Sequence, residues 1–196
     1  FEIAPQQHSQ KLLPFVEQLL SEAGIGLAQL DGIAYGQGPG SFTGVRIGVA
    51  ITQGLAFGAD LPTVGVSSLA TMAQQAIVEH ETNGVVAAID ARMSEVYLGH
   101  YTNEQGLAVL QGIETVIKPD EIEPANFSSC MAVGTGWQTY QQVLTDKFAS
   151  ISSNILLPSA QFMLPLAVAL FQNQRGVSAE LAQPNYVRDE VSWKKL

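Results

Sequence analysis

The sequence predicts an α/β protein of two mixed-sheet parts, and three observations carry that expectation. Strand-like runs alternate with helix-like runs as far as residue 80, the pattern of a sheet covered by helices. After Asn83-Gly84 the texture switches to strand-like runs in succession. Apolar residues make up 46% of the 196 and are spread along the whole chain, so both parts have material for a core.

In order along the chain, SQKLLPFVEQLLSEAG (Ser9 to Gly24) opens with a Ser that suits a cap and closes on a Gly stop, which predicts a helix. Its apolar positions are Leu12, Leu13, Phe15, Val16, Leu19, Leu20 and Ala23, more than one buried stripe requires. The helix is therefore expected to be covered on two sides, by its own chain or by a partner. Pro14 predicts a slight kink.

DGIAYG then reads as a strand, Thr43 to Ala59 as a second helix, LPTVGV as a strand and SSLATMAQQAIVEH as a third, Ser-capped helix. Beyond residue 84 come successive strands with a turn at Asn103 to Gly106, a strand around MAVGTG, and helices from Trp137 to Phe148 and from Ala160 to Phe171. The tail QPNYVRDEVSWKKL reads as irregular. The expected division is an N-terminal part over 1–83, a C-terminal part over 84–183 and a tail over 184–196.

Composition narrows the function classes. Nine Lys and Arg face eighteen Asp and Glu, for a net charge of −9. A protein gripping nucleic acid alone shows a basic patch, because phosphate contacts dominate that affinity. Here the cations are scattered, apart from Arg188, Lys194 and Lys195 in the tail. The single cysteine, Cys130, rules out an internal disulfide framework and fits a reducing cytosol. The longest apolar run, LPLAVALF, falls far short of the roughly 18 residues a membrane span needs.

The stretch YGQGPGSFTGVRIG (Tyr35 to Gly48) invites motif matches that fail on inspection. A Walker loop needs a lysine, and none lies between Lys11 and Lys118. A nucleophile elbow needs glycines two residues either side of its serine, where Ser41 has Pro39 and Thr43. Gly38, Gly40 and Gly44 form a stretched dinucleotide fingerprint, but the next strand ends at Val66-Ser67 without the acidic residue.

A packing role has its own logic. Gly40, Gly44 and Gly48 recur every four residues and leave a bare stripe that a second backbone could approach. Glycines inside a helix cost roughly 1 kcal/mol each against Ala, which close packing would offset. Ser41 or Thr43 is expected to cap the helix. Arg46, near the positive end, calls for a carboxylate or phosphate neighbour or a plain surface ion pair.

GPGSFTGVRIGVAITQGLA (Gly38 to Ala56), AIDARMSEVY (Ala88 to Tyr97), VGTGW (Val133 to Trp137) and the ending YVRDEVSWKKL together resemble the TsaB family, also called YeaZ, in its gammaproteobacterial form. The resemblance spans essentially the whole chain. It implies the actin-like, sugar-kinase and Hsp70-type fold, of the ribonuclease H-like kind, with two subdomains. It also implies a hairpin of about 25 residues ahead of Phe1, by strand-length norms.

In function, the resemblance implies a cytoplasmic, non-catalytic subunit that scaffolds and activates formation of N6-threonylcarbamoyladenosine at A37 of tRNA. The implied partners are a homologous catalytic subunit of the TsaD type, a TsaE-type ATPase and a second copy of the chain, with tRNA reached only through the complex and no membrane involved. No tightly bound cofactor is implied; ATP or ADP at a subunit junction is the one nucleotide expectation. The alternatives are a glycoprotease-like metallopeptidase and a self-sufficient ATPase of the actin-like superfamily.

The catalytic relative carries a His-x-x-x-His metal pair, which places two ligands on one helix face. The matching positions here are Ser68 and Met72, poor substitutes for two imidazoles. His8, His80 and His100 are isolated in sequence and read as surface or capping residues. No catalytic residue and no metal ligand is therefore expected.

Two groups of site residues follow. Leu12, Val16, Leu19, Gly44, Val45, Gly48, Val49 and Thr52, chosen by helical spacing, are the expected subunit interface. Asp90, Arg92, Glu95, Gly134 and Gly136 are the candidates for a nucleotide-facing cleft. Against that stands the plainer reading of an ion-paired strand turn and a glycine turn that starts a helix.

Overall fold

The structure is a computed structural model that describes residue 2 and residues 7–123, 130–147 and 151–188. Lys194, Lys195 and the expected helix end at Phe148 lie outside the described residues. The chain forms two compact units, one of Phe1–Ser68 with Ser159–Pro184 and the other of Leu69–Pro158 with Asn185–Leu196.

The first unit is a three-layer arrangement around two parallel strands. Strand β1 (Ile33–Gly38) pairs with β2 (Thr63–Ser67), Ile33 opposite Thr63 and Tyr35 opposite Gly65. Side chains alternate across the strands. Ala34, Val64 and Val66 face helix α6 (Ala160–Gln172), packing with Met163, Leu166, Ala167, Leu170 and Phe171. Tyr35 faces the other way, into a cluster with Val45 and Val49 of α2 (Phe42–Ala59) and with Ala182. Helix α1 (His8–Ala23) lies against α2.

Local chemistry explains these helices with some corrections. Helix α1 ends where Gly24 takes the left-handed conformation, φ 66°, as the Gly stop predicted. Its N-cap is Gln7 without a side-chain bond, so Ser9 lies inside the helix rather than capping it. Ser41 does cap α2, its hydroxyl accepting from the Gly44 N–H at 3.3 Å.

The second unit holds a six-stranded mixed sheet. β3 (Gly84–Arg92), β4 (Glu95–Glu104) and β5 (Leu107–Leu110) form an antiparallel meander, β6 (Thr115–Ile117) also pairs with β4, and β7 (Met131–Val133) and β8 (Ile151–Ser152) add in parallel beyond β3. The turn expected at Asn103 to Gly106 is present, with Asn103 Oδ1 accepting from Gly106 N at 2.8 Å.

One core cluster gathers Val86, Ala88, Val96, Leu98, Ala132, Trp137 and Leu144. The Trp137 indole N–H donates to the Val86 carbonyl at 3.1 Å, which satisfies its polar edge. Cys130 is buried beside it, its Sγ 3.6 Å from His100 Nε2. Burial pushes the Cys130 thiol up and the His100 imidazole down from their ordinary values.

Two expectations need redrawing. The single helix expected from Trp137 to Phe148 is two helices, α4 (Thr135–Thr139) and α5 (Gln141–Lys147), interrupted at Tyr140. The grouping into units also differs from the linear division at 83/84 and 183/184. Helix α3 (Ser68–His80) belongs from Leu69 onward with the larger sheet, where the buried Gln74 donates to Gly106 O and accepts from Ala108 N, both at 2.8 Å. Helix α6 belongs with the first unit because its apolar face covers β1 and β2.

Candidate functional site

Two regions answer to the expected site residues, and each lies within a single unit. The first is the helical surface of the first unit. On α2, Val49 is only 5% exposed, and Thr52 and Ala56 are buried with it, all three against the protein's own core. Val49 and Thr52 are thus corrected: their side chains are already used inside the monomer and offer nothing to a second chain. Val45 is half-buried in the same cluster. Leu12 and Val16 are half-buried on α1.

On α2 the outward residues fall on a different phase, whereas on α1 the expected Leu19 is itself outward. Leu19 is 65% exposed, and Leu13 and Phe15 are exposed beside it on α1. On α2, Phe42, Arg46, Ala50 and Phe57 are all exposed at helical spacing, Phe57 to 79%. The Arg46 guanidinium stacks 3.6 Å from the Phe42 ring centroid, a cation–π contact at the helix start. Among the glycines of α2, a side chain added at Gly48, Gly54 or Gly58 would meet nothing within 4 Å.

Sequence reasoning missed Phe15, Phe42 and Phe57 because both faces of these helices are apolar. Spacing alone then fixes the stripes but not which stripe points inward.

The second region surrounds Asp90 at the end of β3. The Asp90 N–H donates to Thr135 Oγ1 at 3.2 Å, and Asp90 Oδ1 accepts from Arg92 N at 2.9 Å and from the Tyr140 hydroxyl at 3.3 Å. Burial, then the Asp90 charge and hydrogen bond, hold the Tyr140 hydroxyl above its ordinary value. Arg92, Met93 and Ser94 all have left-handed φ of 60°, 54° and 62°, an uncommon run for residues that are not glycine. Glu95, just beyond, forms an ion pair with Arg188.

Gly134 and Gly136 do not open onto a ligand cradle. A Cβ at Gly134 would lie 2.2 Å from the Ala88 carbonyl oxygen, and one at Gly136 would lie 2.9 Å from Ala88 Cβ. These glycines let the start of α4 press onto β3, which is the plainer of the two sequence readings. Asp90 is likewise engaged with its neighbours. As a set, these residues do not fit a phosphate-binding cradle of the chain's own. Among the described residues no three His, Cys, Asp or Glu side chains gather as metal ligands. The Met72 side chain is fully buried, its Cε 3.3 Å from where a Gly134 Cβ would stand.

Comparison with known proteins gives a consistent result. Residues 2–192 match the family model described as TsaD, tRNA N6-adenosine threonylcarbamoyltransferase. The chain is 43% identical over 201 residues to the tRNA threonylcarbamoyladenosine biosynthesis protein TsaB of Escherichia coli K12, covering all of this chain and 87% of that protein. It is 43% identical over 206 residues to the TsaB of Haemophilus influenzae Rd, covering all of this chain and 86% of that protein. A crystal structure from Pseudomonas aeruginosa, described as an uncharacterized protein with similarity to peptidase YeaZ, superposes with a TM-score of 0.87 at 42% identity. That match covers 95% of this chain and 87% of the other. The fold is the actin-like α/β fold of these proteins.

Proposed function

From the premise that the chain belongs to the TsaB (YeaZ) family and shares the TsaD-type domain, we propose that it is a non-catalytic subunit that scaffolds and activates a tRNA N6-threonylcarbamoyladenosine transferase. Its partner in this reading is a homologous, TsaD-type catalytic subunit, with a TsaE-type ATPase acting on the assembly. The single observation that carries the reading is the outward face of α1 and α2: Leu19 and Phe57 lie bare, beside three helical glycines over which nothing packs. Exposed apolar faces of this kind mark contact surfaces, and bare glycines let a partner helix come close. The same surface supports a homodimer when the partner is absent.

Two further observations support the non-catalytic role and the indirect grip on tRNA. Met72 fills a core position, the one that the sequence resemblance matches to a metal-ligating histidine of the catalytic relative. The net charge of −9 leaves the phosphate contacts to the other subunit. In this reading the protein acts in the cytoplasm, holds no cofactor of its own, and ATP or ADP binds where subunits meet.

The test is threonylcarbamoylation of tRNA by the purified pathway with and without the full-length protein. The expected outcome is that product disappears on omission while the protein alone makes none. Undiminished product on omission would overturn the assignment, and stoichiometric, tightly bound metal with peptide cleavage would put a metallopeptidase in its place.

A further inference from the structure

The β3–β4 hairpin turns through two residues, because Arg92 pairs with Glu95 and leaves Met93 and Ser94 at the tip. Both have left-handed φ, 54° and 62°, as the tightest hairpin turns require. Methionine is an unusual occupant of such a position, where Asn, Asp or Gly is the rule. Its place at the tip puts a thioether into water. Met93 is 62% exposed, while Met72 and Met131 are buried and Met163 packs against the core under α6.

A cation stands beside this sulfur. Arg188, in the same compact unit, brings its Nη1 to 3.4 Å from Met93 Sδ, and a thioether accepts such a bond weakly. Other groups fix the guanidinium there. Its Nη2 donates to the Glu95 carboxylate and to Ala91 O at 3.4 Å, and the Tyr97 ring centroid lies 6.0 Å away. The Arg188 side chain is only 16% exposed, so the cation is held rather than free to swing. A thioether sulfur has two lone pairs, and a hydrogen bond to one makes them inequivalent. Oxidation at one lone pair or the other gives opposite sulfoxide epimers.

We propose that Met93 is a reversible oxidation site of this protein, and that Arg188 selects which sulfoxide epimer forms there. The oxidant is a hydroperoxide, which is neutral and so is not repelled by a chain of net charge −9. With hydrogen peroxide, the sulfur lone pair turned away from Arg188 attacks one oxygen. The S–O bond forms as the O–O bond breaks, and the departing hydroxide takes the proton of the attacking oxygen and leaves as water. Sulfur loses two electrons and the peroxide gains them. A polar sulfoxide at the tip of a turn disturbs no core, so the oxidised chain stays folded. Its return to the thioether falls to methionine sulfoxide reductases, of which each takes one epimer.

The test is treatment of the full-length protein with dilute hydrogen peroxide, then digestion and mass spectrometry of the methionine peptides. The epimers are assigned by which of the two reductases removes the added oxygen from the peptide. Met93 should gain oxygen on the order of tenfold faster than Met72 or Met131. Its two epimers should differ by about threefold in the parent, the size of effect one weak hydrogen bond supports, and be nearly equal in Arg188→Ala. Arg188→Lys should fall between, keeping the charge but losing the fork that anchors it. Met72 and Met131 report folding in the same sample, since they stay reduced only while buried. If they oxidise in Arg188→Ala, that variant has not folded and Arg188→Lys decides. Oxidation of Met93 no faster than of the buried methionines overturns the proposal. So do equal epimers in the parent, or an excess that neither Arg188 variant changes.

Discussion

Two glycine-bearing helices in this molecule face opposite surroundings. At α4, Gly134 and Gly136 face the protein's own β3 backbone, and no side chain fits between. Along α2, Gly48, Gly54 and Gly58 face open space. The first pair is accounted for inside the monomer: the close approach seals the core around Trp137 and Ala88. The second set weakens its helix with no compensation within the chain. That contrast separates a region whose glycines are packed within the chain from one whose glycines face open space.

The strongest way to break the contrast is to fill the packed pair. Gly134→Ala combines a backbone clash with a φ of 100° and should destabilise the second unit by about 3 kcal/mol or more, read by urea denaturation. A loss below about 1 kcal/mol would show that α4 can lift off β3, and would return Gly134 to the list of ligand-facing residues.

Next in size is the open face. Phe57→Asp and Leu19→Asp should each weaken binding to a TsaD-type subunit about tenfold to a hundredfold in titration calorimetry. The isolated chain should keep its stability within about 0.5 kcal/mol, because both side chains are exposed. Unchanged binding in both variants would place the partner elsewhere.

Smaller and opposite in sign are Gly48→Ala, Gly54→Ala and Gly58→Ala. Each should stabilise the isolated chain by up to about 1 kcal/mol while weakening assembly, since a methyl group fits the open space but not a closely packed helix. Stabilised variants that assemble as well as the parent would mean that no backbone approaches this stripe.

The smallest effect is a pH dependence confined to the packed region. His100 has its folded value lowered by burial, so the unfolded chain takes up the proton more readily. Stability of the second unit is therefore full above the ordinary histidine value of 6.5 and falls as pH drops below it. His100→Gln should flatten that fall in denaturation curves taken from pH 7.5 to 5.5, and an unaltered slope would exonerate this residue.

Much of the fold was legible because GVVAAIDAR is a short continuous apolar run that follows an Asn-Gly turn signal, while SLATMAQQAIVEH repeats apolar residues at helical spacing. Less of the site was. On α2, Val45, Val49, Thr52 and Ala56 make one stripe and Phe42, Arg46, Ala50 and Phe57 another. Only the position of β1 decides which is inside, and that is tertiary information.

The break at Tyr140 left no mark because QTYQQ contains neither Gly nor Pro. The left-handed run at Arg92–Ser94 was equally silent, since ARMSEV lacks the Asn-Gly or Asp-Gly pair that announces a tight hairpin. The membership of α6 in the first unit could not be read at all, because sequence order says nothing about which sheet a helix returns to cover.

The burial of Cys130 has a practical consequence for the study of this protein. It is the only sulfhydryl in the chain, 5% exposed, and its thiolate is disfavoured by its surroundings. Maleimide dyes at neutral pH should pass it by. One cysteine introduced at Gly58 on the open face would then carry the only fluorophore, and the arrival of a second subunit could be followed by emission without first removing the native residue.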